Sequence, residues 1–330
     1  MNRRRFTDWT RGIAVLCMIE HHTFDAFLRP SLHGSAWDRS FRFVGGVAAP
    51  GFLFLAGLSL ALMLERRGDV RKAAVRGLWI LAGAYLFRVQ EWALAFGGSP
   101  ASDILRIDVL NCIGVAVIAV AAVWAAVPAR FRLPALLLAA AAVVLATPAV
   151  WSAPLPHWPM VIADYLRGQP PRALFPLFPW LGHGFCGAAL GIALARIPRE
   201  REGVLLLALS AAALGIWLLV HPDPWTDFSP AVFLLRDSLV LPLLALAWVA
   251  DRRLPQAASD PLLKLGRHSL IVYWVHIEIV YGRWFWRTRG ALTLTQGALA
   301  LAGVLAAMTA LAYLIEWRPR RGAALARAAA

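Results

Sequence analysis

The chain has 330 residues, of which 60% are hydrophobic and only 16% charged, against about 45–50% and about 25% in an ordinary soluble domain. That balance excludes a water-soluble enzyme, and 15 Trp with 16 Phe beside long Leu, Ala and Val runs exclude a disordered or fibrous chain. The formal charge of +14 is spread as short clusters between apolar runs, so it reads as a topology signal and not as a nucleic-acid surface.

A helix needs about 20 mostly apolar residues to cross about 30 Å of hydrocarbon. Ten runs meet that need, near 10–28, 43–64, 73–96, 108–127, 133–151, 174–195, 203–220, 231–250, 265–285 and 294–316. They predict an all-α, polytopic membrane bundle of about ten transmembrane helices, organised as one domain over 1–330. The first run starts basic, like a signal peptide, but no small-residue cleavage site follows, so it is read as a retained span. Counting Lys and Arg in alternate loops gives 20 on the side of the N-terminus, Arg3 and the loop at 65–72 included, and nine on the other. Both termini are therefore expected in the cytoplasm, with the chain multi-pass in the inner membrane.

The first span carries Arg11, Glu20, His21, His22 and Asp25, and an ionisable group inside a membrane is a functional candidate because burying its charge is costly. Arg11 and His22 are eleven positions apart, within about 20° of three full turns, so they share a helix face about 16 Å apart along the axis. Asp8 and Asp25 lie three residues from Arg11 and His22, where each can pair along the helix. Further along, the third span ends in Arg88, Gln90 and Glu91, and the fourth opens with Asp108 and Asn111. The outer loop at 152–173 is rich in Pro and aromatic residues, which suits either a cap over a site or a plain connector. The eighth span has Arg236 and Asp237, and Arg88–Glu91 and Arg236–Asp237 read equally as neutralising structural pairs or as functional groups at the outer end of the bundle. His276 in the ninth span has no close sequence partner and is expected to line a cavity. Cys17, Cys112 and Cys186 all lie within apolar runs, which offers neither a disulfide framework nor a metal site. Trp37, Trp151, Trp158 and Trp225 on the outer side serve equally as sugar-stacking platforms or as interface anchors.

The run Arg5-x2-Asp8-x2-Arg11-Gly12-x-Ala14-x3-Met18-x3-His22 resembles the opening motif of the transmembrane acyltransferases related to heparan-alpha-glucosaminide N-acetyltransferase, whose superfamily shares an Arg-x10-His signature. Four later segments look like the same family: Pro50 to Ser59, Asp108-x2-Asn111-Cys112-Ile113-Gly114, Phe175-Pro176-x-Phe178-Pro179-Trp180-Leu181-Gly182, and Leu265-Gly266-Arg267-His268-Ser269-Leu270-x2-Tyr273-x2-His276. Two departures stand out, His268 where Asn is usual and a doubled His21-His22 where one His is usual. The second leaves open which ring is catalytic, with the spacing favouring His22. The resemblance implies transfer of an acyl group, acetyl by default, from cytoplasmic acyl-CoA to an extracytoplasmic acceptor such as a glycan hydroxyl or amine. No permanently bound cofactor, metal or nucleic acid is implied, and the lipid bilayer is the other partner.

The side-chain chemistry suits that reading. The phosphates of CoA demand cations, for which guanidinium is the better fork, and Arg11 with Arg66 and Arg67 of the cytoplasmic loop offers them. His22 then serves as general base on the acceptor or attacks the thioester itself, and Asp25 fixes its tautomer. Asn111 or Arg88 stabilises the oxyanion. A proton-coupled transporter of a small solute would use the same buried charges, but it predicts internal repeats and midplane helix breaks. Only the Pro176 and Pro179 pair hints at a break, and no repeat is visible.

Overall fold

A computed structural model describes residues 4–96, 98–154, 158–168, 172–220 and 229–328. Arg3, Trp225 and parts of the 152–173 loop lie outside the described residues, as do the side chains of Arg318, Arg320, Arg321 and Arg327. Among the described residues there are thirteen α-helices and no β-strand, with only two isolated bridges, Leu28 to Leu292 and Ile107 to Ala173. In chain order the helices are α1 (Arg5–Phe27), α2 (Ala36–Gly45), α3 (Ala48–Arg67), α4 (Val70–Leu94), α5 (Val109–Ala126), α6 (Arg132–Ser152) and α7 (Met160–Leu166). They continue with α8 (Leu177–Arg196), α9 (Glu202–Val220), α10 (Pro230–Arg253), α11 (Gln256–Arg267), α12 (Ser269–Val280) and α13 (Leu294–Ala328). The protein is a polytopic helical membrane bundle.

Among the described residues, seven stretches are long and apolar enough to cross a membrane: Ala36–Arg67, Val109–Ala126, Ala129–Ser152, Leu177–Arg196, Arg199–Val220, Pro230–Arg253 and Leu294–Trp317. They coincide with seven of the ten expected runs. Helices α1 and α4, at 23 and 25 residues, have the length of a span. Each carries five charged residues along its length, Arg5, Asp8, Arg11, Glu20 and Asp25 in α1 and Arg71, Lys72, Arg76, Arg88 and Glu91 in α4. The expected ninth run, 265–285, is corrected. It is the end of α11, a break at His268 (φ −103°, ψ 19°) and the 12 residues of α12, which rise only about 18 Å. Near the expected break at Pro176 and Pro179, only Phe178 in the first turn of α8 leaves helical backbone angles. The helix is regular beyond it.

The chain folds into two compact units, Met1–Ala48 with Ala247–Ala330, and Ala49–Leu246. In the first, α1 packs against α2, α11, α12 and α13. Its buried positions, Phe6, Ala14, Val15, Met18 and Ile19, recur at three- and four-residue steps, the stripe of a helix buried on one side. Backbones of α1 and α11 touch: a Cβ on Gly266 would stand 2.0 Å from Asp8 O, and one on Gly12 would stand 2.2 Å from Leu262 O. Only glycine permits that approach, the small-residue packing typical of membrane helices. In the second unit, α3, α4, α5, α6 and α8 share a core that includes Leu60, Leu64, Val120, Trp124, Leu136 and Ile192.

Candidate active site

Helix α1 sets His22 against His276 of α12 within the first unit. His22 Nδ1 lies 2.8 Å from His276 Nε2, with the ring planes 6° apart. His276, 0% exposed, places its own Nδ1 3.0 Å from Val272 O. A carbonyl only accepts, so His276 Nδ1 carries a proton and donates it, and in the neutral ring Nε2 is then the acceptor. His22 Nδ1–H must therefore donate to His276, which leaves the lone pair on His22 Nε2. That nitrogen makes no hydrogen bond among the described residues. The arrangement orients an imidazole and assigns its tautomer through a second imidazole, much as a carboxylate does in a hydrolase triad.

Asp25 does not take the expected place. Its Oδ2 accepts from Tyr281 Oη at 2.8 Å and its Oδ1 faces Arg42 Nη2 at 3.3 Å. The tautomer of His22 is set by His276 instead, because both carboxylate oxygens are held by groups from other segments. Asp25 reaches the site through Tyr281, whose ring meets His22 edge-on at 5.5 Å. His21 lies one position, or about 100°, around the helix and packs beside α2, where a Cβ on Gly45 would fall 2.4 Å from its own. Arg11 makes the expected pair along α1, Nη1 to Asp8 Oδ1 at 3.1 Å.

The second unit holds Arg88 and Asn111, and it brings them together through Asp108. Arg88 binds Glu91 as expected, and its Nη2 lies 3.0 Å from Asp108 Oδ2. Asp108 caps α5, with Val109 N donating to its Oδ1 at 2.6 Å, while its own amide donates to Asn111 Oδ1 at 3.0 Å. Asn111, 0% exposed, donates from Nδ2 to Tyr165 Oη at 3.1 Å, and Tyr165 shares a hydrogen bond with Tyr85 at 2.9 Å. Arg66 and Arg67 lie exposed in the last turn of α3. Asp69 caps the helix that follows, and its bonds to Lys72 hold that carboxyl below the usual carboxylate range.

The expected Arg236–Asp237 pair is also corrected. Asp237 Oδ1 lies 2.7 Å from His183 Nδ1, while the Arg236 guanidinium lies 4.9 Å from the Trp180 ring centroid. His183, 0% exposed and stacked on Phe233 at 4.2 Å, was missed by the sequence reading. Its signal is the same as for His276: a histidine with no carboxylate three or four residues away, inside an apolar run. Among the described residues no group of three or more His, Cys, Asp or Glu is placed to hold a metal ion.

Residues 3–222 match the family model for heparan-alpha-glucosaminide N-acetyltransferase, catalytic. The match takes in His22, Arg88 and Asn111 and stops short of His276. Comparison with individual curated proteins finds no match.

Proposed function

The chain belongs to the heparan-alpha-glucosaminide N-acetyltransferase catalytic family, a family of membrane acetyltransferases, and from that premise we propose the reaction, its direction and its residues. The protein takes an acetyl group from cytoplasmic acetyl-CoA and delivers it to a hydroxyl or amine of an extracytoplasmic acceptor, acting as one domain over 1–330 in the inner membrane with both termini cytoplasmic. The observation that carries this reading is the His22–His276 pair, which leaves a nucleophilic nitrogen on a held ring.

Two routes use that nitrogen. In the direct one, His22 Nε2 takes the acceptor's proton as the acceptor oxygen or nitrogen attacks the thioester carbonyl. CoA leaves as thiolate and is protonated from the imidazolium. In the covalent one, Nε2 attacks the carbonyl and CoA leaves as thiolate; the acceptor then attacks the acyl-imidazolium, its proton passes to the thiolate, and the neutral ring is regenerated. In both, positive charge grows on His22, and His276 Nε2 accepts the hydrogen bond that stabilises it. Asn111 and Arg88 are assigned as oxyanion donors on their chemistry, and Arg11, Arg66 and Arg67 as phosphate contacts of CoA. Asp25 supports the site through Tyr281.

Purified protein in detergent, supplied with acetyl-CoA and candidate sugar acceptors, tests the assignment. His22→Ala should lose about 10²–10⁴-fold in turnover while CoA affinity, measured by calorimetry, stays within a factor of a few. Full activity in His22→Ala with loss in His21→Ala would move the role one residue along α1.

A further inference from the structure

Lys264, Arg267 and His268 stand at i, i+3 and i+4, so they share one face of the last turn of α11 and the break that follows it. All three reach a single carboxylate, Glu316, the one acidic residue of α13. Lys264 Nζ binds Glu316 Oε2, Arg267 Nη1 lies 3.2 Å from Oε1, and His268 Nε2 lies 3.4 Å from that same oxygen. A carboxylate only accepts, so His268 donates from Nε2. His268, one of the two departures from the family motif, thus supplies the third donor.

The cluster is closed from its other side. Asp260, one turn before Lys264, lies 3.3 Å from its Nζ and accepts a hydrogen bond from the Tyr313 hydroxyl. Tyr313, one turn before Glu316 on α13, also sets its ring centroid 4.8 Å from Lys264 Nζ. Lys264 is only 6% exposed, and the Glu316 side chain 17%. Pulling the end of α11 away from α13 would strand these charges without partners, which is costly away from water.

Helix α12 hangs from this clamped break. Val272 N donates to His268 O at 3.0 Å, Val272 O accepts from His276 Nδ1 at 3.0 Å, and His276 Nε2 accepts from His22 Nδ1 at 2.8 Å. Positions 268, 272 and 276 are four apart, so one line of hydrogen bonds runs from the clamped residue to the proposed catalytic ring. A side-chain ring stands about 6 Å from its helix axis, so turning α12 by about 15° would carry His276 about 1.5 Å sideways. That displacement breaks a hydrogen bond.

We propose that Glu316 is a positioning residue: by holding Lys264, Arg267 and His268 it fixes the rotation of α12 about its axis, and with it the meeting of His276 and His22. It touches no reacting atom. The effect on turnover rests on the acyl-transfer reading, whereas the effect on the ring pair does not.

The test combines kinetics with solid-state nitrogen NMR of the histidine-labelled full chain in lipid bilayers, where loss of signals in His22→Ala and His276→Ala identifies the pair. In Glu316→Ala the N–H···N signature of the pair should vanish. Turnover per folded molecule should fall about 10²-fold while the Michaelis constant for acetyl-CoA stays within about two-fold. Glu316→Asp, which keeps the charge on a shorter arm, should recover part of both. Should Glu316→Ala fail to fold, Arg267→Gln and His268→Phe each remove one donor and should each lower turnover about three-fold with the Michaelis constant unmoved. An intact ring signature with unchanged turnover in these variants overturns the proposal and leaves a purely structural ion pair. A raised Michaelis constant at unchanged turnover overturns it too, and makes Lys264 and Arg267 contacts of CoA phosphates instead. A lost ring signature at full turnover upholds the clamp and counts against His276 in the reaction. If the unaltered protein transfers no acetyl group, the NMR comparison alone decides the positioning, so the two readings fail separately.

Discussion

Val272 O accepts from His276 Nδ1 at 3.0 Å, and His276 Nε2 faces His22 Nδ1 at 2.8 Å. The tautomer of the proposed catalytic ring therefore traces back to one backbone carbonyl of α12. His276 is then a positioning residue, and its removal has a specific signature. His276→Ala should lower turnover by about 10²-fold or more with little change in the Michaelis constant for acetyl-CoA. In His276→Gln, an amide oxygen that can accept from His22 Nδ1–H should restore part of the loss. Unchanged turnover in His276→Ala would remove it from the mechanism. The choice of His22 as the candidate ring rests on its spacing to Arg11, which the sequence carries. Its partner is not legible there, because Asp25 at three residues and His276 at 254 compete for one ring, and helical spacing speaks only for the nearer.

The elements that carry this pair depend on close backbone contact. Helix α1 meets α11 where Gly266 leaves no room for a side chain, and α12 begins immediately after the break at His268. Gly266→Ala would drive a Cβ to within 2.0 Å of Asp8 O, a backbone atom that cannot rotate away. The cost should be about 1–3 kcal/mol, read as a lower thermal midpoint in detergent. Gly215 and Gly303 are the controls, since a Cβ there meets nothing within 4 Å. Alanine at either should be neutral or gain about 0.5–1 kcal/mol from helix propensity. If Gly266→Ala behaves like the controls, the contact between α1 and α11 is looser than described. Apolar periodicity located the helices, but the run expected at 265–285 joined the last three residues of α11, all of α12 and the start of the turn that follows, because hydropathy does not register a break in the backbone such as that at His268.

For the whole molecule the open question is direction. In the orientation proposed from the excess of 20 basic residues over nine, the loop at 65–72 faces the cytoplasm and acetyl-CoA is expected to enter from that side. In oriented vesicles, donor supplied on the face bearing this loop should be consumed and the acetylated acceptor should collect on the other face. Product confined to the donor side would refute transfer across the membrane even with acetyltransferase activity present.

The sequence by itself determined the class of the molecule, since composition and run length leave only a helical membrane bundle, and an ordered series of short motifs pointed to the family that residues 3–222 match. It also supplied Arg11 with Asp8 and Arg88 with Glu91, because partners three residues apart on a helix are set by helical geometry alone. The tertiary structure alone decided the rest: His276 and not Asp25 on His22, His183 and not Arg236 on Asp237, and Asp108 as the bridge between Arg88 and Asn111. Each of those contacts joins separate helices or a helix to its cap, and a one-dimensional pattern carries no information on which of several compatible polar groups packing will bring within hydrogen-bond reach.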